Sequence, residues 1–252
     1  MSINPVEIPT GAVRYNTDSN KMEVYVGSTW MEVAVSSPNL DGGSRGLING
    51  GYSPGAPNSG RLNNIEFVTI TSAGNSQDFG DLTSVGRSST GSCASRTRSI
   101  VMGGFDESAP AYRDIIDFVT IATTGNAQDF GDLSSGKLAS YAQNGYGNST
   151  RGVFPLCDSN DSGSYVCDTL DFITMSTLGS TTEYGDLTTS RAIACSFSNP
   201  TRGILVAGAS PDSDDIDYNN IASGGTSVDF GEYSAYSQLT AASGCSNAHG
   251  GL

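Results

Sequence analysis

A pair of linked motifs recurs four times along this chain, and that recurrence limits the fold more than any other feature. Ile65-Glu-Phe-Val-Thr-Ile70 returns as Ile116-Asp-Phe-Val-Thr-Ile121, as Leu170-Asp-Phe-Ile-Thr-Met175 and, in altered form, as Ile216-Asp-Tyr-Asn-Asn-Ile221. Each copy is followed by a second motif: Asp78-Phe-Gly-Asp-Leu82, Asp129-Phe-Gly-Asp-Leu133, Glu183-Tyr-Gly-Asp-Leu187 and Asp229-Phe-Gly-Glu-Tyr233. Its aromatic falls at 79, 130, 184 and 230, so the spacings are 51, 54 and 46 residues. An Arg-led apolar run precedes each pair, starting at Arg45, Arg98, Arg151 and Arg202. A weaker element is read as closing each unit: Gly91-Ser-Cys-Ala-Ser95, Tyr141-Ala-Gln-Asn144, Ala194-Cys-Ser196 and Gly244-Cys-Ser-Asn247.

Each unit therefore reads as about four short strands. The Arg-led run is continuously apolar and ends in small residues, as a strand covered on both faces would be. The next alternates, with Ile65, Phe67 and Thr69 on one side and Glu66, Val68 and Ile70 on the other. Val, Ile, Thr and Phe suit a pleated surface, and no window carries both a helical apolar stripe and caps. Units of about 50 residues holding four strands have the size of a propeller blade, which cannot bury both faces alone. The expected fold is all-β: a small propeller of four units within residues 37–252, preceded by an N-terminal hairpin segment within 1–36. An open stack of β units is the alternative.

Composition narrows the function. The net charge is -14, with 12 Lys and Arg against 26 Asp and Glu. An acidic surface repels phosphate backbones and anionic lipid, so nucleic-acid binding is not expected. No apolar run approaches the ~20 residues that cross a bilayer, so membrane insertion is not expected either. Met1–Thr10 lacks the basic and apolar blocks of a secretory signal. Five cysteines exclude a complete disulfide framework. Cys93, Cys195 and Cys245 fall in equivalent slots and read as buried apolar fillers. Cys157 and Cys167 flank a turn-rich loop, where pairing across a hairpin is open.

No catalytic constellation emerges. The one histidine, His249, lies three residues from the C-terminus, a poor place for a rigid triad. Asp81, Asp132, Asp186 and Glu232 occupy one slot per unit, as do the four strand-opening arginines. In-register acids and arginines are expected to form one ion pair or turn anchor per unit, since Arg grips carboxylates bidentately. Asp158-Ser-Asn-Asp-Ser-Gly163 has the opening rhythm of a calcium loop, which makes Asp158, Asn160 and Asp161 candidate Ca²⁺ ligands. Position twelve is Thr169 rather than Glu, so no cofactor is expected beyond loosely held Ca²⁺. Recognition is expected where units differ, in the loops after the Arg-led strands, with Tyr52, Tyr112 and Tyr165 as ligand-binding candidates.

Gly50-Gly51 and Gly103-Gly104 after apolar runs resemble the glycine doublet of kelch repeats. Two units depart from it, with Pro155-Leu156 and Gly208-Ala209, and the only tryptophan, Trp30, lies outside the repeats. Phe118-Val-Thr-Ile-Ala-Thr-Thr-Gly-Asn-Ala-Gln-Asp-Phe-Gly-Asp-Leu133 is similar to repeat proteins of tailed bacteriophages, especially those of marine cyanobacteria. Gly11-Ala-Val-Arg-Tyr-Asn-Thr-Asp-Ser-Asn-Lys-Met-Glu-Val-Tyr-Val-Gly-Ser-Thr-Trp-Met-Glu-Val33 resembles a module of phage tail-fibre and virion proteins. Two strands, Val13 to Thr17 and Met22 to Val26, would flank the turn Asp18 to Lys21, with Trp30 covering one face.

These resemblances imply a virion structural protein assembled in the host cytoplasm, not an enzyme. A tail-fibre or receptor-binding part comes first, and a capsid fibre or decoration protein is the alternative. Tyr15, Tyr25 and Trp30 would attach it to other virion proteins, and copies would form a homo-oligomer within the particle. The partner outside would be a host cell-surface glycan or protein. A cellular kelch-like protein-interaction module is the rival from another class.

Overall fold

The computed structural model describes residues 8–17, 21–33, 45–56, 60–84, 86–106, 113–134, 137–138, 145–158, 166–209, 211–239 and 242–246. The chain divides into two compact units, Met1–Leu40 and Asp41–Leu252. Every named element among the described residues is a β-strand.

The first unit is one antiparallel sheet in the order β1-β2-β3, with β1 at Val13–Asn16, β2 at Lys21–Val26 and β3 at Thr29–Glu32. Trp30 lies within a third strand, where only a covering side chain was expected. A tight turn at Gly27, whose φ is +68°, makes this second hairpin. It sets Tyr25 opposite Trp30.

The second unit holds antiparallel sheets of three, four and eight strands among the described residues, and one long strand divides the last into two parts, the third and fourth sheets below. β4 (Arg45–Tyr52), β5 (Arg61–Thr69) and β6 (Gln77–Asp81) form the first. β7 (Gly91–Ala94), β8 (Arg98–Met102), β9 (Ile115–Thr120) and β10 (Gln128–Asp132) form the second. The third contains β11 (Lys137–Leu138), β12 (Tyr146–Gly147), β13 (Arg151–Asp158) and β14 (Cys167–Thr174). β15 (Thr182–Ser198) pairs with β14 through its first part and with β16 (Arg202–Ala209) through its last. β17 (Ser213–Asn220) and β18 (Val228–Glu232) complete the fourth sheet.

One boundary differs from expectation. The element read as closing each unit instead leads the next sheet: β7 pairs with β8, β12 with β13, and the end of β15 with β16. In the third sheet this strand lies at Tyr146–Gly147, and residues 141–144 fall outside the described residues. Among the described residues the first sheet consequently has three strands, with no partner along the outer edge of β4. No strand pairing among the described residues joins the first sheet to the fourth, and no closed ring is shown.

Three core clusters lie between successive sheets, and a fourth joins Cys195, Val206 and Ile216 of the last sheet to Leu239 and Ala242 of the C-terminal segment. Ile65, Phe67, Phe79 and Leu82 of the first pack with Val101 and Val119 of the second. Met102, Phe118, Phe130 and Leu133 of the second meet Phe154, Leu156, Ile173 and Met175 of the third. Leu170, Tyr184 and Leu187 of the third meet Leu205 and Ile221 of the fourth. Burial of such side chains contributes about 1.5–3 kcal/mol each. This explains why the Arg-led strands read as apolar on both faces.

Candidate functional site

The repeated motifs build the junctions between sheets. In each sheet the strand pairing skips the aromatic of the second motif: Asp78 and Gly80, Asp129 and Gly131, Glu183 and Gly185, and Asp229 and Gly231 flank a β-bulge. A bulge leaves its extra residue outside the ladder. At three junctions the freed carbonyl accepts a hydrogen bond from a glycine loop of the following sheet. Gly125 N donates to Phe79 O at 2.7 Å, Gly179 N to Phe130 O at 2.8 Å and Gly225 N to Tyr184 O at 2.8 Å. Two residues on, Ala127 N donates to Asp81 O, Thr181 N to Asp132 O and Ser227 N to Asp186 O.

The glycine after each aromatic permits this approach. Gly131 has φ +147°, and a Cβ there would lie 2.5 Å from the backbone carbon of Gly179. Gly80 meets Gly125 in the same way.

The strand-opening arginines serve the same junctions, which corrects the expected pairing with the in-register acids. Arg45 donates to Ile121 O at 2.8 Å, Arg98 to Met175 O at 2.8 Å and Arg151 to Ile221 O at 3.1 Å. Each guanidinium also covers a ring of its own sheet: Arg45 over Phe67, Arg98 over Phe118, Arg151 over Phe172 and Arg202 over Tyr218, at 4.7–4.8 Å. Asp81, Asp132 and Asp186 contribute backbone groups to these contacts. The buried ion pairs use other residues. Arg87 meets Asp117 at 2.5 Å and Arg191 meets Asp217 at 3.1 Å, all four fully or almost fully buried. Thr83 and Thr188 hydroxyls donate to the same two aspartates, and Ser134 and Thr181 hydroxyls donate to Asp171. Burial pulls the Arg87 guanidinium below its ordinary value, opposed by the charge of Asp117. A visible signal existed: an acid second in every Ile-Asp-Phe motif, and an arginine five residues after Leu82 and four after Leu187.

The N-terminal candidates fall on two faces. Tyr15 lies with Val13, Met22, Met31 and Val33 on an exposed apolar face, because alternate residues share a side. Tyr25 and Trp30 lie on the other, with ring centroids 5.2 Å apart. There Arg14 sits 4.2 Å above the Trp30 ring and pairs with Glu23 at 2.8 Å. Hydrogen bonds from Asn16 and Arg14 hold the Glu23 carboxyl below the usual glutamate range.

Among the loop candidates, Tyr52 is exposed at the end of β4, with Arg61 5.8 Å from its ring. Tyr112 and Tyr165 lie outside the described residues, as do the calcium candidates Asn160 and Asp161. Asp158 ends β13, and its side chain is likewise outside them. No three acid, cysteine or histidine side chains among the described residues are grouped to hold a metal. Cys167 is disulfide-bonded, and the strand register places Cys157 opposite it. Cys195 is buried and Cys93 half-buried, and burial pushes both thiols up. Cys245 is exposed, against the expectation of a buried filler.

No family model matches the sequence, and neither does any curated protein. Among solved structures, that of YjhT is similar, with a TM-score of 0.59 at 9% identity. The likeness covers 79% of this chain and 65% of YjhT, so the chain spans somewhat less than two thirds of that neighbour's length. At this identity the likeness speaks for the all-β arrangement of sheets alone.

Proposed function

We propose that the four sheets are blades of a kelch-like, propeller-type stack and that the chain is a structural component of a tailed-phage virion. In this reading the second unit projects from the particle and the first attaches it. The observation that carries the proposal is the N-terminal sheet. It displays Val13, Tyr15, Met22, Met31 and Val33 on one exposed face, and it is built from the segment that resembles tail-fibre modules. A small isolated sheet is marginal alone and gains from a partner on its apolar side. The first three copies of the repeated arginines and acids support a framework role, since Arg45, Arg98 and Arg151 and the backbone of Asp81, Asp132 and Asp186 are engaged in junctions between sheets. A tail-fibre or receptor-binding position is favoured over a capsid fibre by the N-terminal resemblance. The exposed loop at Tyr52 would then face a host glycan or protein.

Immunogold labelling with mass spectrometry of purified particles tests this. Label at the tail, with the chain present in stoichiometric amounts, is the expected result. Label over the capsid moves the chain to a fibre or decoration role. Absence from particles, with the chain free in the lysate, overturns the proposal in favour of an interaction module.

A further inference from the structure

The three internal junctions have the same two halves; at the first sheet the trailing half is exposed, and at the last sheet the leading half is exposed around Phe230, with Leu239 and Ala242 covering Val206 and Ile216. On the leading half, Phe79, Phe130 and Tyr184 are 2%, 2% and 7% exposed under the next sheet, whereas the equivalent Phe230 is 57% exposed. Gly231, the counterpart of Gly80 and Gly131, has nothing within 4 Å of its Cβ position. Arg202 keeps its ring partner, Tyr218, but has no following carbonyl, unlike Arg45, Arg98 and Arg151.

On the trailing half, Ile48 is 54% exposed and its equivalents Val101, Phe154 and Leu205 are buried. Ile70 is 68% exposed, whereas of its equivalents Met175 and Ile221 are buried and Ile121 is half-buried. Gly74 and Ser76 match Gly125 and Ala127 in the glycine loop. Their backbone N–H groups make none of the bonds that the other loops make to a preceding sheet.

The missing leading strand completes the pattern. Among the described residues no strand pairs with the outer edge of β4, where β8, β13 and β16 each have a partner. At the other end, the fourth copy of that strand motif, Gly244-Cys-Ser246, lies beyond β15. A Cβ on Gly244 would meet Phe197, and the Ser246 hydroxyl donates to Ser198 O at 2.6 Å. The segment thus lies against the leading strand of the fourth sheet.

We infer that the fourth sheet of one chain docks the first sheet of a second copy, head to tail, with the Gly244–Ser246 segment pairing along the partner's β4. In this junction Gly74 N and Ser76 N of the partner donate to Phe230 O and Glu232 O, and Arg202 donates to the partner's Ile70 O. The side chains of Phe230 and Val228 cover the partner's Ile48 and Ile70. A free sheet edge accepts such a strand readily. The occupant is a second copy because the chain carries both halves of an interface that it already makes three times within itself. Such a heterologous contact gives either a closed ring of copies or an open filament. The inference rests on these junctions and is independent of a role in a particle.

The test uses the whole chain in sedimentation velocity and native mass spectrometry over a wide dilution series. The wild type is expected to shift from one to two or more chain masses with concentration. Phe230→Glu and Ile70→Glu, on opposite halves, are each expected to stay monomeric. Mixed together they are expected to form a dimer and nothing larger, because one intact junction survives, and this mixing also proves both variants folded. A wild type monomeric at every concentration, or a mixture that does not dimerise, overturns the inference. Monomers whose unfolding midpoint falls equally in both variants indicate closure of the chain on itself and overturn it as well.

Discussion

Replacing Asp117 by Leu should be among the most damaging single changes available to this chain. Asp117 and Arg87 are both inaccessible to solvent. The carboxylate receives Arg87 Nη2 at 2.5 Å and the Thr83 hydroxyl. Without it the guanidinium retains one long bond, from Nη1 to Ile115 O at 3.3 Å. Its Nε already lacks a partner. Removing one member of a buried pair leaves an uncompensated charge and costs about 3–5 kcal/mol. That is large against the ~5–15 kcal/mol by which domains are stable. Arg87→Met should be costly too, since it strands the carboxylate. The double variant Arg87→Met/Asp117→Leu should recover most of the loss, to within about 2 kcal/mol of the wild type. Glu66→Gln supplies the control, because Glu66 holds the same slot at the open end and bonds only Asn64 and Ser76 of its own sheet. It should cost less than about 1 kcal/mol. Urea unfolding followed by far-ultraviolet circular dichroism measures all four variants. A cost below 1 kcal/mol for Asp117→Leu, or a double variant as unstable as the single ones, would refute the reasoning.

Three further outcomes are expected. Gly131→Ala should cost more than Gly231→Ala: both bear the strain of positive φ, about 1–3 kcal/mol, but only at Gly131 does the new Cβ strike the next sheet. Thermal melts compare them, and equal losses would count against the junction. Native alkylation at neutral pH should modify Cys245 and spare Cys93 and Cys195, because burial raises the latter two thiols and withholds the reactive thiolate. Peptide mass spectrometry reads the order. Glu23 has its folded pKa depressed, so its contribution to the N-terminal sheet is present above the ordinary glutamate range and is lost as pH falls through the folded value. Trp30, the single tryptophan, lies on this sheet and reports the loss by fluorescence, which Arg14→Ala should move to higher pH.

The strands and their order were legible because four noisy copies of one pattern average out local ambiguity. Ile65, Phe67, Phe79 and their second-copy counterparts Ile116, Phe118 and Phe130 are core. The junction chemistry was only half legible. Arg45 and Asp81 recur together, and opposite charges in register invite pairing, but spacing along a chain does not say which sheet a side chain meets. Arg45 reaches across to Ile121 O, 76 residues on. The strand containing Cys93 was attached to the wrong unit for a related reason: a repeat has no beginning, and its phase is fixed by hydrogen bonds rather than by sequence. In the N-terminal segment, alternation could have separated Tyr15 from Tyr25 and Trp30, since the two sets occupy opposite parities across paired strands.

The junctions also explain how the copies diverge so far while stacking alike. The fourth copy replaces Val-Thr by Asn219 and Asn220, and the spacings range from 46 to 54 residues. What every internal junction shares is mostly main chain: a bulge carbonyl, a glycine-loop N–H two residues from another, and an arginine bonded to a backbone oxygen. Backbone groups are present whatever the side chains are, and each left unpaired in a buried junction costs about 1–3 kcal/mol. Sequence drift therefore spares the stacking as long as the glycines and the bulge persist. Side-chain choice governs loop length and surface, where ligands would be met. The last sheet keeps the same geometry: Arg202 covers Tyr218, Phe230 is exposed, and a Cβ on Gly231 would meet nothing within 4 Å.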